Sequence, residues 1–192
     1  MRLFVALQIP AEVRDALAAL LSELRQMAGT SGHHPPKSVR PENLHVTLKF
    51  KGELVPGRLS AIQSVLASVH SQELVNLDFL GLGFFPNENR PSILWTGVNG
   101  IPNLPALASK IDQSLEKTGI SREPRPFSPH LTLARFEPPG IAENLRATVQ
   151  KNMQRSFGSC AANEFQLIES KFKPSGAEYT TVQTYRFVAA EA

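Results

Sequence analysis

Residue patterning along the chain predicts an α+β or mixed α/β domain folded as two pseudo-equivalent lobes. Short strand-like runs alternate with helical periods from end to end, and the order of these elements repeats about the middle of the chain. No low-complexity linker interrupts it, so residues 1–192 are read as one domain.

Leu3, Val5, Leu7 and Ile9 alternate with Phe4, Ala6 and Gln8, the period of a strand packed mainly on one face. After Pro10, Val13, Leu17, Leu20, Leu21 and Leu24 recur at helical spacing, and Gly29 supplies a stop. Leu44 to Phe50 reads as the next strand, and Leu59, Ile62, Leu66 and Val69 mark a second helix. Leu77 to Phe84 and Ile93 to Val98 follow as strands. A third helix carries Leu104, Leu107, Ile111 and Leu115, with Gly119 as its C-terminal cap. Leu131 to Phe136 is a strand, and the Pro138-Pro139-Gly140 break precedes a weaker helix with Ile141, Leu145 and Val149. Phe165 to Ser170 and Thr181 to Val188 complete seven strands and four helices.

Residues 2–98 and 93–189 share this order although their sequences barely match, which makes it a repeat of pattern with interleaved lobes. Apolar residues make up 42% and charged residues 19%, which excludes disorder and fibres. Apolar runs fall far short of the ~20 residues a membrane span needs, and MRLFVALQIP lacks the small-residue cleavage site of a signal peptide. The lone Cys160 excludes an internal disulfide framework and a cysteine-built zinc site. A soluble, cytoplasmic protein without a membrane partner is expected. The net charge of +3 suits an anionic small molecule or a nucleic-acid end but not a long duplex footprint.

Chemistry concentrates in one repeated motif. His45-Val46-Thr47-Leu48 lies on the second strand of the first half and His130-Leu131-Thr132-Leu133 on its counterpart, close to half a chain length apart. Alternation places His45 and Thr47 on one face with Val46 and Leu48 in the core, and His130 and Thr132 likewise. A pseudo-twofold would let both faces line one groove. Two imidazoles suit concerted acid–base catalysis near neutral pH, and threonine hydroxyls can donate to phosphoryl oxygens as charge develops. No carboxylate lies within either motif, so the pattern fits metal-free phosphodiester cleavage. A single His-x-Thr is incidental; two copies on corresponding strands are not.

These motifs resemble those of the two-histidine (2H) phosphoesterase superfamily, and the segments around them resemble its RNA 2′,3′-cyclic phosphodiesterase branch, also called 2′-5′ RNA ligase. The resemblance runs through Arg2–Ala6, Arg40–Phe50, Phe85–Asn87, Arg90–Trp95, Phe127–Arg135, Glu169–Lys171 and Tyr179–Thr180. It implies an α+β fold: a single bilobal domain of two pseudo-symmetric lobes, each a mainly antiparallel sheet flanked by helices, with a central active-site groove. By the same resemblance His45 would be the proton donor to the leaving 3′ oxygen, and His130 the proton acceptor that activates water. Thr47 and Thr132 would hold non-bridging oxygens, with Arg135 adding charge at the phosphate. The partners would be RNA ends with 2′,3′-cyclic phosphates, such as tRNA fragments, the product a 2′-phosphomonoester, and the reverse reaction an ATP-independent 2′-5′ ligation. No cofactor, metal or obligatory protein partner is implied, and a monomer is expected. Ser38, where the family often has an aromatic residue, and Lys51, where an apolar residue is usual, are the departures.

Other residues carry weaker signals. Phe4, on the minor face of its strand, is a candidate for stacking a nucleobase, with a core role as the alternative. Lys49 shares the face of His45 by alternation and would reach phosphate or sit in water at the strand end. Arg135 falls on the face opposite His130 unless the strand ends or bulges there. His33 and His34 read as a solvated loop, His70 as a helix-end residue, Trp95 as core and Cys160 as inert. No Gly-x-x-x-x-Gly-Lys loop is present, which counts against triphosphate-driven ligation. The rival readings are a phosphodiesterase of a small nucleotide (ADP-ribose cyclic phosphate or 2′-5′ oligoadenylate), a non-catalytic RNA-end binding module, and a histidine metal site.

Overall fold

The computed structural model of the protein describes residues 1–30, 36–53, 57–69, 74–137, 143–174 and 176–187. His33, His34, His70 and the Pro138-Pro139-Gly140 break lie outside the described residues.

The first alternating run is β1 (Arg2–Gln8), and the helix after Pro10 is α1 (Ala11–Thr30). The Arg14 amide donates to the Pro10 carbonyl at 3.0 Å to open that helix, which continues one residue beyond the stop expected at Gly29. A two-residue strand, β2 (Lys37–Ser38), and a 3-10 turn at Pro41–Asn43 lead into β3 (His45–Glu53) and α2 (Leu59–Ala67). Strands β4 (Val75–Phe85) and β5 (Ile93–Asn99) precede α3 (Asn103–Glu116). Gly119, at φ +76°, closes α3 while the Ile120 amide reaches back to the Leu115 carbonyl at 3.4 Å, as the glycine stop predicts. The remaining elements are β6 (His130–Arg135), α4 (Glu143–Lys151), β7 (Ser156–Ala162), β8 (Glu164–Lys173) and β9 (Gly176–Arg186).

Two curled sheets result, ordered β3-β1-β8-β9 and β2-β6-β5-β4-β7, with every neighbouring pair antiparallel. The expected seven strands are all present, joined by β2 and β7. Patterning misses β7 because Gly158, Ser159, Ala161 and Ala162 carry little strand propensity and only Phe157 is buried. The first sheet draws β1 and β3 from the start of the chain and β8 and β9 from its end, so neither sheet belongs to one half of the sequence.

The helices cross over as well. Helix α1 follows β1 of the first sheet but packs against β7 and α4, beside the second. Helix α3 joins two strands of the second sheet and packs against β3 of the first as well as β4 of the second, with α2 beside it. One continuous apolar core therefore includes Leu7, Leu17 and Val46 together with Phe79, Leu131 and Phe165. Each such side chain contributes roughly 1.5–3 kcal/mol on burial. A smaller cluster of Phe4, Ala6 and Ile168, with Tyr179 packed on it, occupies the other face of the first sheet. That sheet curls so far that Asn43, just before one edge strand, donates from Nδ2 to the Ala177 carbonyl on the opposite edge strand at 2.9 Å. Among the described residues no helix is long and apolar enough to cross a membrane.

Candidate active site

Both motif strands begin on their histidine, and both alternate as the sequence predicts. Val46, Leu48, Leu131 and Leu133 are buried while His45, Thr47, His130 and Thr132 are partly exposed on the opposite faces. Strands β3 and β6, which carry the two motifs, approach each other where the two sheets meet.

Each strand then bulges at the same motif position. Pairing passes from Thr47–Ala6 directly to Lys49–Val5, skipping Leu48, and from Thr132–Trp95 directly to Ala134–Leu94, skipping Leu133. A bulge inserts one residue and reverses the facing of everything after it. Arg135 consequently returns to the histidine side, exposed, with Ala134 buried before it. Its charge reaches Tyr179 of the other sheet: burial raises the Tyr179 phenol pKa, and Arg135 partly offsets that rise.

The bulge has the opposite consequence for Lys49, correcting its expected place beside His45. Lys49 turns inward, is 6% exposed, pairs with Asp112 on α3 and donates to the Ser121 carbonyl at 3.1 Å. Burial pushes the Asp112 carboxyl up, but the Lys49 hydrogen bond and charge outweigh it and hold the group below its ordinary value. Lys49 is thus a structural cation and not a phosphate ligand.

The two imidazoles are fixed in the same way. The Nδ1–H of His45 donates to the Asn43 carbonyl at 2.7 Å, and that of His130 to the Ser128 carbonyl at 2.8 Å. A carbonyl only accepts, so Nδ1 carries the hydrogen in both rings and Nε2 is the nitrogen left to gain or lose a proton. Asn43 is itself tied down, by its amide to the Arg40 carbonyl at 2.8 Å and by its side chain to Ala177.

Their surroundings differ. His45 stacks on Phe4 with ring centroids 4.7 Å apart and meets Tyr179 edge-on at 5.4 Å. Burial lowers the His45 pKa, with the Asn43 carbonyl opposing. Phe4 is 3% exposed, so its ring face is taken by the imidazole and not presented to a nucleobase. His130 meets Phe85 edge-on at 5.1 Å, and Phe85 in turn lies 5.2 Å from Trp95. Trp95, expected in the core, is half-buried on the histidine side, where it lies over Gly83: a Cβ there would sit 2.3 Å from the indole.

The floor of the first sheet adds a polar row that the sequence did not single out. Gln166 Oε1 accepts from Gln8 Nε2 at 3.0 Å and from Thr181 Oγ1 at 3.1 Å, and Gln8 pairs with His45 in register. Asn43, Phe85 and Tyr179 carried a signal only as parts of family-like segments; nothing in their local pattern marks them. Cys160 is half-buried on β7, and burial with the Asp78 charge pushes its thiol up, consistent with an inert cysteine. Among the described residues no group of three or more His, Cys, Asp or Glu gathers as metal ligands do.

The family model of the 2'-5' RNA ligase superfamily matches residues 5–171. An RNA 2',3'-cyclic phosphodiesterase of Archaeoglobus fulgidus is 34% identical over 187 residues, covering 96% of this chain and 99% of the relative. The crystal structure of a Thermus thermophilus protein matches with a TM-score of 0.81 and 27% identity over 100% of both chains. That of Escherichia coli LigT complexed with 3'-AMP matches with a TM-score of 0.74 and 26% identity over 97% of both. The chain belongs to the 2'-5' RNA ligase superfamily.

Proposed function

We propose that the protein hydrolyses RNA 2′,3′-cyclic phosphate ends to 2′-phosphomonoesters by general acid–base catalysis between His45 and His130. The observation that carries this reading is the matched anchoring of the two imidazoles, each holding Nδ1–H on a carbonyl and leaving Nε2 for proton transfer. Relatives named RNA 2',3'-cyclic phosphodiesterase support the substrate class.

In the proposed reaction His130 Nε2 takes a proton from water as its oxygen attacks phosphorus. The P–O3′ bond breaks, and protonated His45 delivers its Nε2 proton to the departing 3′ oxygen. Thr47 and Thr132 donate to the non-bridging oxygens, and Arg135 balances charge at the phosphate. Solvent then resets both imidazoles. Burial disfavours the His45 imidazolium in the free protein, so its role as acid depends on the substrate anion stabilising that cation on arrival. With the 5′-hydroxyl of a second RNA in place of water, the reverse transfer makes a 2′-5′ linkage without ATP; we treat it as secondary. A monomer acting in the cytoplasm on fragments such as cleaved tRNA completes the reading.

LigT bound to 3'-AMP keeps a small-nucleotide phosphodiesterase as the second reading. The test is a short RNA with a 2′,3′-cyclic end incubated in excess EDTA with wild type, His45→Ala and His130→Ala. A 2′-phosphate made only by wild type is expected. An untouched end in wild type, with and without added divalent metal, rejects the reading.

A further inference from the structure

The substrate proposed above is a chain end, so RNA leaves the reacting phosphate in one direction only, toward its 5′ side. The β8–β9 hairpin, whose Tyr179 meets His45, carries an exposed aromatic surface. Phe172 on β8 is 70% exposed, and the Arg2 guanidinium covers one side of its ring, 4.8 Å from the centroid. A single exposed apolar side chain is ordinary. What distinguishes Phe172 is its place.

Arg2, Phe4 and Ala6 alternate along β1 on one face, and Phe4 and Ala6 share their cluster with Ile168 and Tyr179. Ile168, Ser170 and Phe172 continue that face along β8, where Arg2 pairs with Ser170. Phe172 therefore faces the same side as the rings around His45. Its partner across the hairpin is Ala177, whose carbonyl is gripped by the side chains of Arg40 and Asn43, from the turn that anchors His45. Tyr179, two positions further along β9, has its ring 5.4 Å from His45. Two strand positions span ~7 Å, so Phe172 lies on the same face one step further along the hairpin than Tyr179, the ring that meets His45.

We propose that Phe172, backed by Arg2, is a stacking subsite for the base of the penultimate nucleotide. The proposal rests on the RNA-end reading. With the guanidinium on one side, the opposite ring face is open to a base, in an arginine–phenylalanine–base stack. Stacking uses the π-face that every base possesses, so the subsite selects for a second nucleotide without selecting its identity.

The test compares a 2′,3′-cyclic mononucleotide with a trinucleotide bearing the same end, using wild type, Phe172→Ala and Phe172→Tyr. Wild type is expected to favour the trinucleotide in kcat/KM. Phe172→Ala should shrink that preference about tenfold, mainly through KM, the scale of one lost base–aromatic stack. Phe172→Tyr should retain it. A second readout does not need turnover: a trinucleotide with 2-aminopurine at the penultimate position and a 2′-phosphate end. Its fluorescence should be quenched on binding wild type and Phe172→Tyr but not Phe172→Ala. Equal quenching by wild type and Phe172→Ala, or none by wild type, overturns the subsite. If wild type turns over neither cyclic substrate, the RNA-end reading falls, and the fluorescence still decides whether Phe172 stacks a base.

Discussion

His45 and His130 are held by one device and wrapped by two different environments. Each imidazole holds Nδ1–H on the carbonyl two residues before it. Around His45, however, Phe4 and Tyr179 form part of a closed cluster, and burial drives the imidazole toward its neutral form. His130 has Phe85 at its edge with Trp95 behind. The difference teaches how a duplicated pattern acquires unequal chemistry. Identical anchoring leaves Nε2 as the reacting nitrogen in both rings, while burial disfavours the His45 imidazolium, so an acid role there needs the substrate anion to stabilise it. The residue after each bulge diverges in the same spirit, toward a buried ion pair at Lys49 and a small apolar filler at Ala134.

The largest expected effect falls on the histidines themselves. His45→Ala and His130→Ala should each cost ~10²–10⁴ in turnover of the cyclic RNA end, and the double variant should lose little more than the worse single one. Near-wild-type rates in either single variant would dissolve the pairing of the two pockets. Next comes the divergence after the bulges. Lys49→Met leaves half-buried Asp112 with only the more exposed Arg122 guanidinium, 3.4 Å away, and should destabilise the fold by ~1–3 kcal/mol, read from urea unfolding. Adding Asp112→Leu should restore much of that loss. If Lys49→Met leaves the midpoint unchanged, the pair is not a structural element of this lobe.

The threonines test whether the two motifs are equivalent at the phosphate. Thr47→Val and Thr132→Val should each lower kcat by about 10²-fold, typical of one lost donor to a developing oxyanion. A loss confined to one of them would show that a single lobe holds the phosphate. The smallest effect concerns the His45 wrapping. Phe4→Leu opens the stack, so the His45 pKa should rise toward its ordinary value, followed by NMR titration of the imidazoles with His130 as reference. The sign for stability follows. A buried neutral histidine binds fewer protons folded than unfolded, so its contribution is present above the ordinary value of ~6.5 and is lost as pH falls toward the lowered folded value. Phe4→Leu should flatten that decline.

Much of this site was legible in the sequence, and particular residues show why the rest was not. Alternation alone placed His45 with Thr47 and His130 with Thr132, because burial of Val46 and Leu131 fixes the strand facing. Helix periods located all four helices to within a few residues. Strict alternation then failed at Leu48 and Leu133, since a bulge leaves no mark in a period-two pattern; adjacent apolar Leu133 and Ala134 were the one hint. That failure misplaced Lys49 and left the facing of Arg135 open. Phe4 and Trp95 faced the groove and not the main core because curling of the sheets turns their second face into a wall, a tertiary property no local window contains. Tyr179 meets His45 from the last hairpin, which Arg40 and Asn43 hold at Ala177 and Phe4 packs against.

The division of labour between the two histidines is most directly tested by removing the need for a proton donor. A short RNA ending in a 2′-O,3′-S-cyclic phosphorothiolate expels a thiolate, which departs without protonation. His45→Ala should cleave this end within about tenfold of wild type, while His130→Ala stays as impaired as on the oxygen substrate. Rescue of His130→Ala with His45→Ala remaining inactive would reverse the roles assigned to the two pockets, and rescue of neither would remove the general acid from the mechanism.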